Sequence, residues 1–355
     1  MSAAAAFKVG HAAAGDWRAA AGRCLDQIGA GAGDTLGLVY ATDALAGRLG
    51  DIVAWLRERT GIATWTGASG HGILAGDTDY IGAPALAVMC AALPADAIAP
   101  IDAALPPGMP FGIVHGDSRS PDLEHCIARA SRGGFLVGGL VLPDGARVGA
   151  PAQAGAPLTG LACAAAVPVA TGLTQGCIPI GPAHEVTLCD AHLVAELDGR
   201  PALEVFLEEA GEILSRSRAG GAGEVFAALP VAGSDTGDYL VRNIFGIDPG
   251  AGVVAVAAEL THGERMMFCR RDRASAVEDL ARMLARLKAR LKAPARGALY
   301  VSCLARGPHL FGPGAVEAKA IQDAIGPLPL VGFYANGEIC HDRVYTHTGV
   351  LTLFL

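Results

Sequence analysis

A chain of 355 residues is long enough for roughly two domains with large cores. Hydrophobic residues make up 52% and charged residues 17%, a composition that excludes intrinsic disorder. The formal net charge of -8, with no pooled basic patch, excludes the usual footprint of a nucleic-acid binder.

Residues 16–28 predict a helix. Trp17, Ala20, Ala21, Cys24, Leu25 and Ile28 recur at helical spacing, with Asp16 as cap and Gly29 as stop. "TLGLVYATD" predicts a buried strand. It runs into a helix ending near Arg59, whose stripe is Leu45, Leu49, Ile52, Val53 and Leu56. "GIATWTG" is the next strand. "ALAVMCAAL" suits strand or short helix, and its neighbours favour strand. "FGIVHGDS" is a strand. Ser120 as cap and Pro121 in first position then open a helix to about Ser131. "GFLVGGLVL" is a further strand, so the first half alternates as a layered α/β domain does.

Residues 148–183 carry no charge, but Pro151, Pro157, Pro168, Pro179 and Pro182 break the run. A lipid-exposed backbone would be unsatisfied there, so the segment reads as buried strands and turns. "LACAAAVPVATG" and "HEVTLCDAHLVAELDG" suit strands or hairpins. "RPALEVFLEEAGEIL" opens a helix, and the domain boundary is placed here: 1–200 and 201–355. Beyond it, "VVAVAAEL" and "ERMMFCRR" predict paired strands. A long helix follows, with Ser275 and Glu278 as a capping box and Val277, Leu280, Leu284, Leu287 and Leu291 as its buried stripe. "GALYVSCLARG" is a strand, "AVEAKAIQDAI" a helix, and "PLPLVGFYANGEI" a strand with its turn.

The unit "TLGLVYATD", helix, "GIATWTGASGHG" matches "GALYVSCLARG", helix, "PLPLVGFYANG". The expected architecture is therefore α/β: two similar layered lobes with mixed sheets, from an internal duplication. Each copy ends in a glycine-bracketed turn, Gly67 to Gly72 and Gly332 to Gly337, but only the second carries an acid after it, Glu338.

Other motifs lead nowhere. Gly70, Gly72 and Ala75 fit the dinucleotide fingerprint, but no helix follows to hold a pyrophosphate. Ser69 stands in an incomplete nucleophile elbow, with His71 where a glycine belongs. The histidines lack metal-ligand spacing. Nine scattered cysteines without a C-x-x-C pair suggest reduced thiols. The start, "MSAAAAFKVGHAAAGDW", lacks a secretory pattern, so a cytoplasmic location is expected.

Three signatures remain: "QGCIPIGP", "SCLARG" and "GFYANGEI". Carried by Gln175, Gly176, Pro179, Ile180, Gly181, Pro182, Val186 and Thr187, then "LDGRPA", then Ser302, Cys303, Arg306 and Gly307, then Gly332, Phe333, Tyr334, Gly337 and Glu338, the sequence resembles the FIST family of two-part intracellular sensory proteins. The resemblance covers nearly the whole chain. It departs at Ile73, where the first turn usually has Glu, and at Ala68, where Cys is common.

The resemblance implies a sensory protein that binds an amino acid or similar small ligand. With no transmitter, kinase or DNA-binding segment recognised, its output is expected to pass to a separate signalling partner. The residue chemistry suits a zwitterion. Glycine turns at strand ends make an anion-friendly nest. Arg306 forks onto a carboxylate; Glu338 takes an ammonium group. Asn336 and Gln175 donate and accept; Tyr334 adds a wall with a hydroxyl. Gly176, Gly337 and Cys303 complete the set. Arg306 and Glu338 are expected to face open space, the alternative being that they pair with each other. Two further alternatives stand: a hydrolase or acyl-transfer enzyme using Cys303 with His309 or His341 as base, and, because some members of the family respond to nitric oxide through haem, a haem sensor ligated by His341.

Overall fold

The computed structural model describes residues 7–29, 33–101, 104–149, 156–216, 225–231 and 237–355. Strand β1 (Phe7–Ala13) leads into helix α1 (Trp17–Ile28). The Asp16 side chain accepts from the Arg18 N–H, and Gly29 ends the helix at φ 55. Then come β2 (Leu36–Thr42), α2 (Leu49–Thr60) and β3 (Thr64–Gly70). The hairpin β4 (Gly72–Ala75) and β5 (Thr78–Ile81) precedes β6 (Ala85–Ala91), the apolar run that suited either state. Next are β7 (Ile98–Pro100), β8 (Phe111–Asp117), α3 (Leu123–Ala130), β9 (Phe135–Val141), β10 (Arg147–Val148), β11 (Leu158–Cys163) and β12 (Val169–Gln175). Helix α3 starts later than Ser120 suggested, because the Leu123 N–H closes a turn onto the Ser120 carbonyl at 3.3 Å.

The chain continues with β13 (Cys177–Pro179), β14 (His184–Asp190), β15 (Leu193–Leu197), β16 (Arg200–Pro201), α4 (Ala202–Arg216), β17 (Val225–Pro230), β18 (Tyr239–Asp248), β19 (Val253–Val256), β20 (Arg265–Arg271) and α5 (Arg273–Arg290). It ends with β21 (Gly297–Cys303), α6 (Gly307–Phe311), α7 (Val316–Ile325), β22 (Leu330–Ala335), β23 (Glu338–Cys340), β24 (Arg343–Tyr345) and β25 (Thr348–Phe354). Helix α5 is capped by Asp272, whose Oδ1 accepts from the Ser275 N–H at 3.1 Å, and not by Ser275. Its buried stripe includes Leu280, Leu284 and Leu287, while Val277 is exposed. The described residues fall into two compact units, 1–174 with 279–355, and 175–278.

In the first unit, the repeat read from the sequence occurs three times among the described residues. The pairs β2/β3, β8/β9 and β21/β22 are each parallel and each spanned by a helical connection. Each first strand has an antiparallel neighbour on its other side: β6, β11 and β25. The strand after each pair leaves its own sheet. Thus β4 joins β22, β23 joins β9, and β10 joins β3. The exchange is cyclic, as in a three-fold arrangement.

One glycine in each copy fixes the close approach of the parallel strands. A Cβ on Gly67, Gly138 or Gly332 would lie 1.7 Å from the carbonyl oxygen of Val39, Val114 or Tyr300 respectively. The sheets turn one face inward. Tyr40 stacks on Phe333 at 5.1 Å, and His115 lies 3.1 Å from the Tyr40 hydroxyl through Nε2. Burial, reinforced by Arg147, pushes the His115 pKa down to about 3, so this central imidazole is neutral. The outer faces are covered by α1 and α2 on one sheet and by α3 on another.

The second unit is a curled antiparallel sheet. Its pairings run β20–β14–β15–β19–β18–β17 and return to β20, closing a ring. Helix α4 buries Ala202, Val205, Phe206 and Ala210 in the same cluster as Val186, Val194, Val254 and Phe268. The expected pairing of "VVAVAAEL" with "ERMMFCRR" is corrected. Strand β19 has β15 and β18 on its two edges, and β20 closes the ring through β17 and β14.

Candidate functional site

Most of the chemically equipped residues named from the sequence gather at the carboxyl ends of β21 and β22, the edge where open parallel sheets bind ligands. Strand alternation sends Ser302 to the helix side and Cys303 to the opposite face. Arg306 is 0% exposed. Its partner is Glu317 on α7, which corrects the alternative of a closed Arg306–Glu338 pair. Arg306 Nε donates to Glu317 Oε1 at 2.9 Å, and Nη2 lies 2.8 Å from the same oxygen, off the line of a good hydrogen bond. Glu317 also accepts from the Tyr300 hydroxyl at 2.6 Å, the Ser302 hydroxyl at 3.0 Å and the Gly307 N–H at 3.2 Å. Burial alone would lower the Arg306 pKa, but the Glu317 carboxylate overrides it and holds the guanidinium above its ordinary value. The Phe311 ring centre lies 4.9 Å from the guanidinium carbon. Nη1 is left without a hydrogen-bond partner.

Glu338 is also 0% exposed. Its Oε2 accepts from the Thr348 N–H at 3.1 Å and the Thr348 hydroxyl at 2.7 Å. Its Oε1 has no partner. Burial pushes its pKa up to about 8, against the opposing pull of Thr348, Arg306 and Cys303. Neither charged tip faces open space, which corrects that expectation. The reason is the strand exchange: β23 crosses to β9 and places Glu338 opposite Gly139, whose side faces Ala335, Val301 and Phe333.

The other named residues divide. Cys303 is buried, and burial followed by the Glu338 charge raises its pKa, so it is held as a neutral thiol. Among the described residues no hydrogen bond joins it to His309 or His341. His341 lies against Phe135 at 5.3 Å, with Nδ1 3.3 Å from Asp342. The Tyr334 hydroxyl donates to Asp79 Oδ2 at 3.3 Å, and its ring covers Gly307. Asn336 is exposed and anchored by its backbone N–H to the Leu140 carbonyl at 2.9 Å. Gly337 adopts φ 140 and accepts from the Leu140 N–H at 2.9 Å. Gln175 and Gly176 belong to the second unit, where Gln175 Nε2 donates to the Tyr239 carbonyl at 2.9 Å. Among the described residues no three of His, Cys, Asp and Glu converge as a metal site requires.

Sequence reasoning missed Glu317 and Thr348. Glu317 carried a signal: it shares the buried face of its helix with Ala318 and Ile321, and an acid in that position needs a buried partner. Thr348 carried none, because its contact depends on strand exchange.

A model of the FIST N domain matches residues 35–200, and a model of the FIST C domain matches residues 202–341. The chain belongs to the FIST family. FIST domains are associated with sensory roles and small-ligand binding. An uncharacterized protein of Mycobacterium tuberculosis is 33% identical over 194 residues, 52% of this chain and 50% of the relative. An uncharacterized protein of Mycobacterium bovis is 33% identical over 171 residues, 47% of this chain and 44% of the relative. The matches span about half the length of these curated relatives. The FIST N and FIST C models divide the chain near residue 200, whereas the compact units divide it near residues 174 and 278. No helix among the described residues is long and apolar enough to cross a membrane.

Proposed function

We propose that this FIST protein is a small-ligand sensor. Its ligand, an amino acid or similar carboxylate, binds at the carboxyl ends of β21 and β22, and its output passes to a separate signalling protein. One observation carries the reading. Arg306 Nη1 and Glu338 Oε1 are buried polar atoms without partners, and the two residues make no ion pair with each other. Each orphaned group costs about 1–3 kcal/mol. A ligand carboxylate reaching Nη1 would offset that cost, with Cys303 and the Asn336–Gly337 turn beside it. Both tips are closed to water, so entry requires that turn to open. The opening and closing of the turn is the signal a partner would read.

The test is calorimetry and thermal shift of the full chain against a panel of amino acids and simple carboxylates, with hydrogen exchange followed at residues 336–338. Binding should raise the melting temperature and slow exchange there, and Glu338→Ala should weaken both. A panel without heat or thermal shift for any member would refute the sensor reading.

A further inference from the structure

Resting on that reading, we infer that Glu338 acts as a hydrogen-bond donor to an acceptor group of the ligand, so that the site selects a carboxylate head group and requires no ammonium. This goes against the first chemical intuition, in which Glu338 receives a cation. The geometry points the other way. Both Thr348 donors, the backbone N–H and the hydroxyl, converge on Oε2. An amide N–H prefers the carbonyl oxygen of a neutral acid to its hydroxyl oxygen. Oε2 is then the carbonyl and Oε1 the hydroxyl, and Oε1 is the atom left bare. No side chain beside it supplies a full countercharge at contact distance: Arg306 makes its ion pair with Glu317, and Cys303 is a neutral thiol with only a weak S–H donor to offer.

The charged and titratable groups that act on Glu338 are Arg306 and Cys303 from the end of β21, with Thr348 at the start of β25 supplying neutral donors. Together they fail to outweigh burial, and the carboxyl stays protonated at neutral pH. A neutral buried acid is a strong donor to an anion. The two orphaned atoms, the Oε1 hydroxyl and Arg306 Nη1, are then both donors, and the inferred guest meets both. A carboxylate satisfies both at once. An ammonium ion satisfies neither and would lie near a buried guanidinium.

The experiment uses three probes of similar size: propionate, L-alanine and L-alaninamide. Each is titrated calorimetrically into the wild-type chain and into Glu338→Gln and Glu338→Ala at about pH 6, above the ordinary carboxylate range and below the Glu338 pKa of about 8. Propionate and L-alanine should bind within about tenfold of each other, roughly 1.4 kcal/mol, and L-alaninamide should not bind. Glu338→Gln keeps a donor and should retain propionate within about tenfold, whereas Glu338→Ala should lose more than that. Infrared difference spectra between wild type and Glu338→Gln should show a protonated-carboxyl C=O band, a readout independent of any ligand. Absence of that band overturns the inference whatever the titrations give. L-alanine binding without propionate, or any binding of L-alaninamide, overturns it while leaving the sensor reading intact. A band with no binding of any probe means that an ordered water alone meets Oε1 and Nη1. That outcome removes the sensor reading and this inference together.

Discussion

Removing Glu317 should unmask the largest electrostatic debt in the first unit. In Glu317→Ala, the Arg306 guanidinium remains 0% exposed and loses both its close approaches, at 2.9 and 2.8 Å. An uncompensated buried charge costs about 3–5 kcal/mol. The Tyr300 and Ser302 hydroxyls and the Gly307 N–H lose their acceptor as well, which holds the estimate at the upper end of that range. Arg306→Met alone should cost less, because Glu317 keeps three donors. The double variant Glu317→Leu with Arg306→Met should be more stable than the sum of the single losses, with a coupling of about 2 kcal/mol or more. The assay is urea unfolding followed by tryptophan fluorescence. Trp17, Trp55 and Trp65 all lie in the first unit, so the signal reports on that unit alone. A loss below about 1 kcal/mol for Glu317→Ala, or strict additivity in the double variant, would refute the buried pair, since exposed ion pairs behave that way.

Glu338 gives a pH signature. Its folded pKa of about 8 lies above the ordinary value of 4.5, so its contribution is fully present below the unfolded value and is lost as pH rises through the folded one. Between about pH 5 and 8, wild-type stability should fall relative to Glu338→Gln by up to about 1.4 kcal/mol per pH unit; parallel curves would show that the carboxyl is not desolvated. Gly138→Ala should destabilise the first unit by more than about 3 kcal/mol, because its Cβ would stand 1.7 Å from the Val114 oxygen, and a soluble variant with unchanged melting would refute the strand register. With a thiol reagent under native conditions, Cys126, Cys189 and Cys340, which are partly exposed, should react before buried Cys303. A fast-reacting Cys303, assigned by peptide mass, would instead favour a nucleophilic role.

Local signals in the sequence translated well into structure. Asp16 and Gly29 bound α1 where their capping chemistry placed them, and Leu49, Ile52, Val53 and Leu56 form the buried face of α2. The strand–helix–strand units around β2/β3 and β21/β22 were legible from their apolar runs and glycine turns. The third unit was not recognised as a copy. Its strands were read correctly, but no turn with the same four-residue spacing between glycines follows Gly138 and Gly139. The exchange of strands among sheets was invisible for a different reason: it is a pairing between distant segments, and period-two alternation says which face is buried but not which edge accepts the strand. The same gap hid Thr348, whereas Glu317, the partner of Arg306, lay within its own strand–helix–strand unit and was overlooked there. Asp272 displaced Ser275 as a cap because both residues fit the cap position and only the register of the first turn decides between them.

The exchange also accounts for why a single turn carries an acid. In each sheet, the inward residue after the strand glycine faces one residue of the imported strand. Phe333 faces Ile73, Ala68 faces Arg147, and Gly139 faces Glu338. These positions are equivalent in backbone geometry and unequal in chemistry. Ile73 opposite Phe333 makes an apolar plug, both residues being 0% exposed. Arg147 opposite Ala68 turns its guanidinium to the carbonyls of His115, Ala156 and Pro157 and lies 3.5 Å from Asp117, so its donors are spent inside the protein. Glu338 alone meets a glycine, whose side is taken up by Ala335, Val301 and Phe333, so no side chain there offers it a polar partner. A repeated backbone thus supplies three similar corners, and two of them are closed by their own side chains. The third keeps an unsatisfied oxygen, and the proposed ligand site rests on that difference.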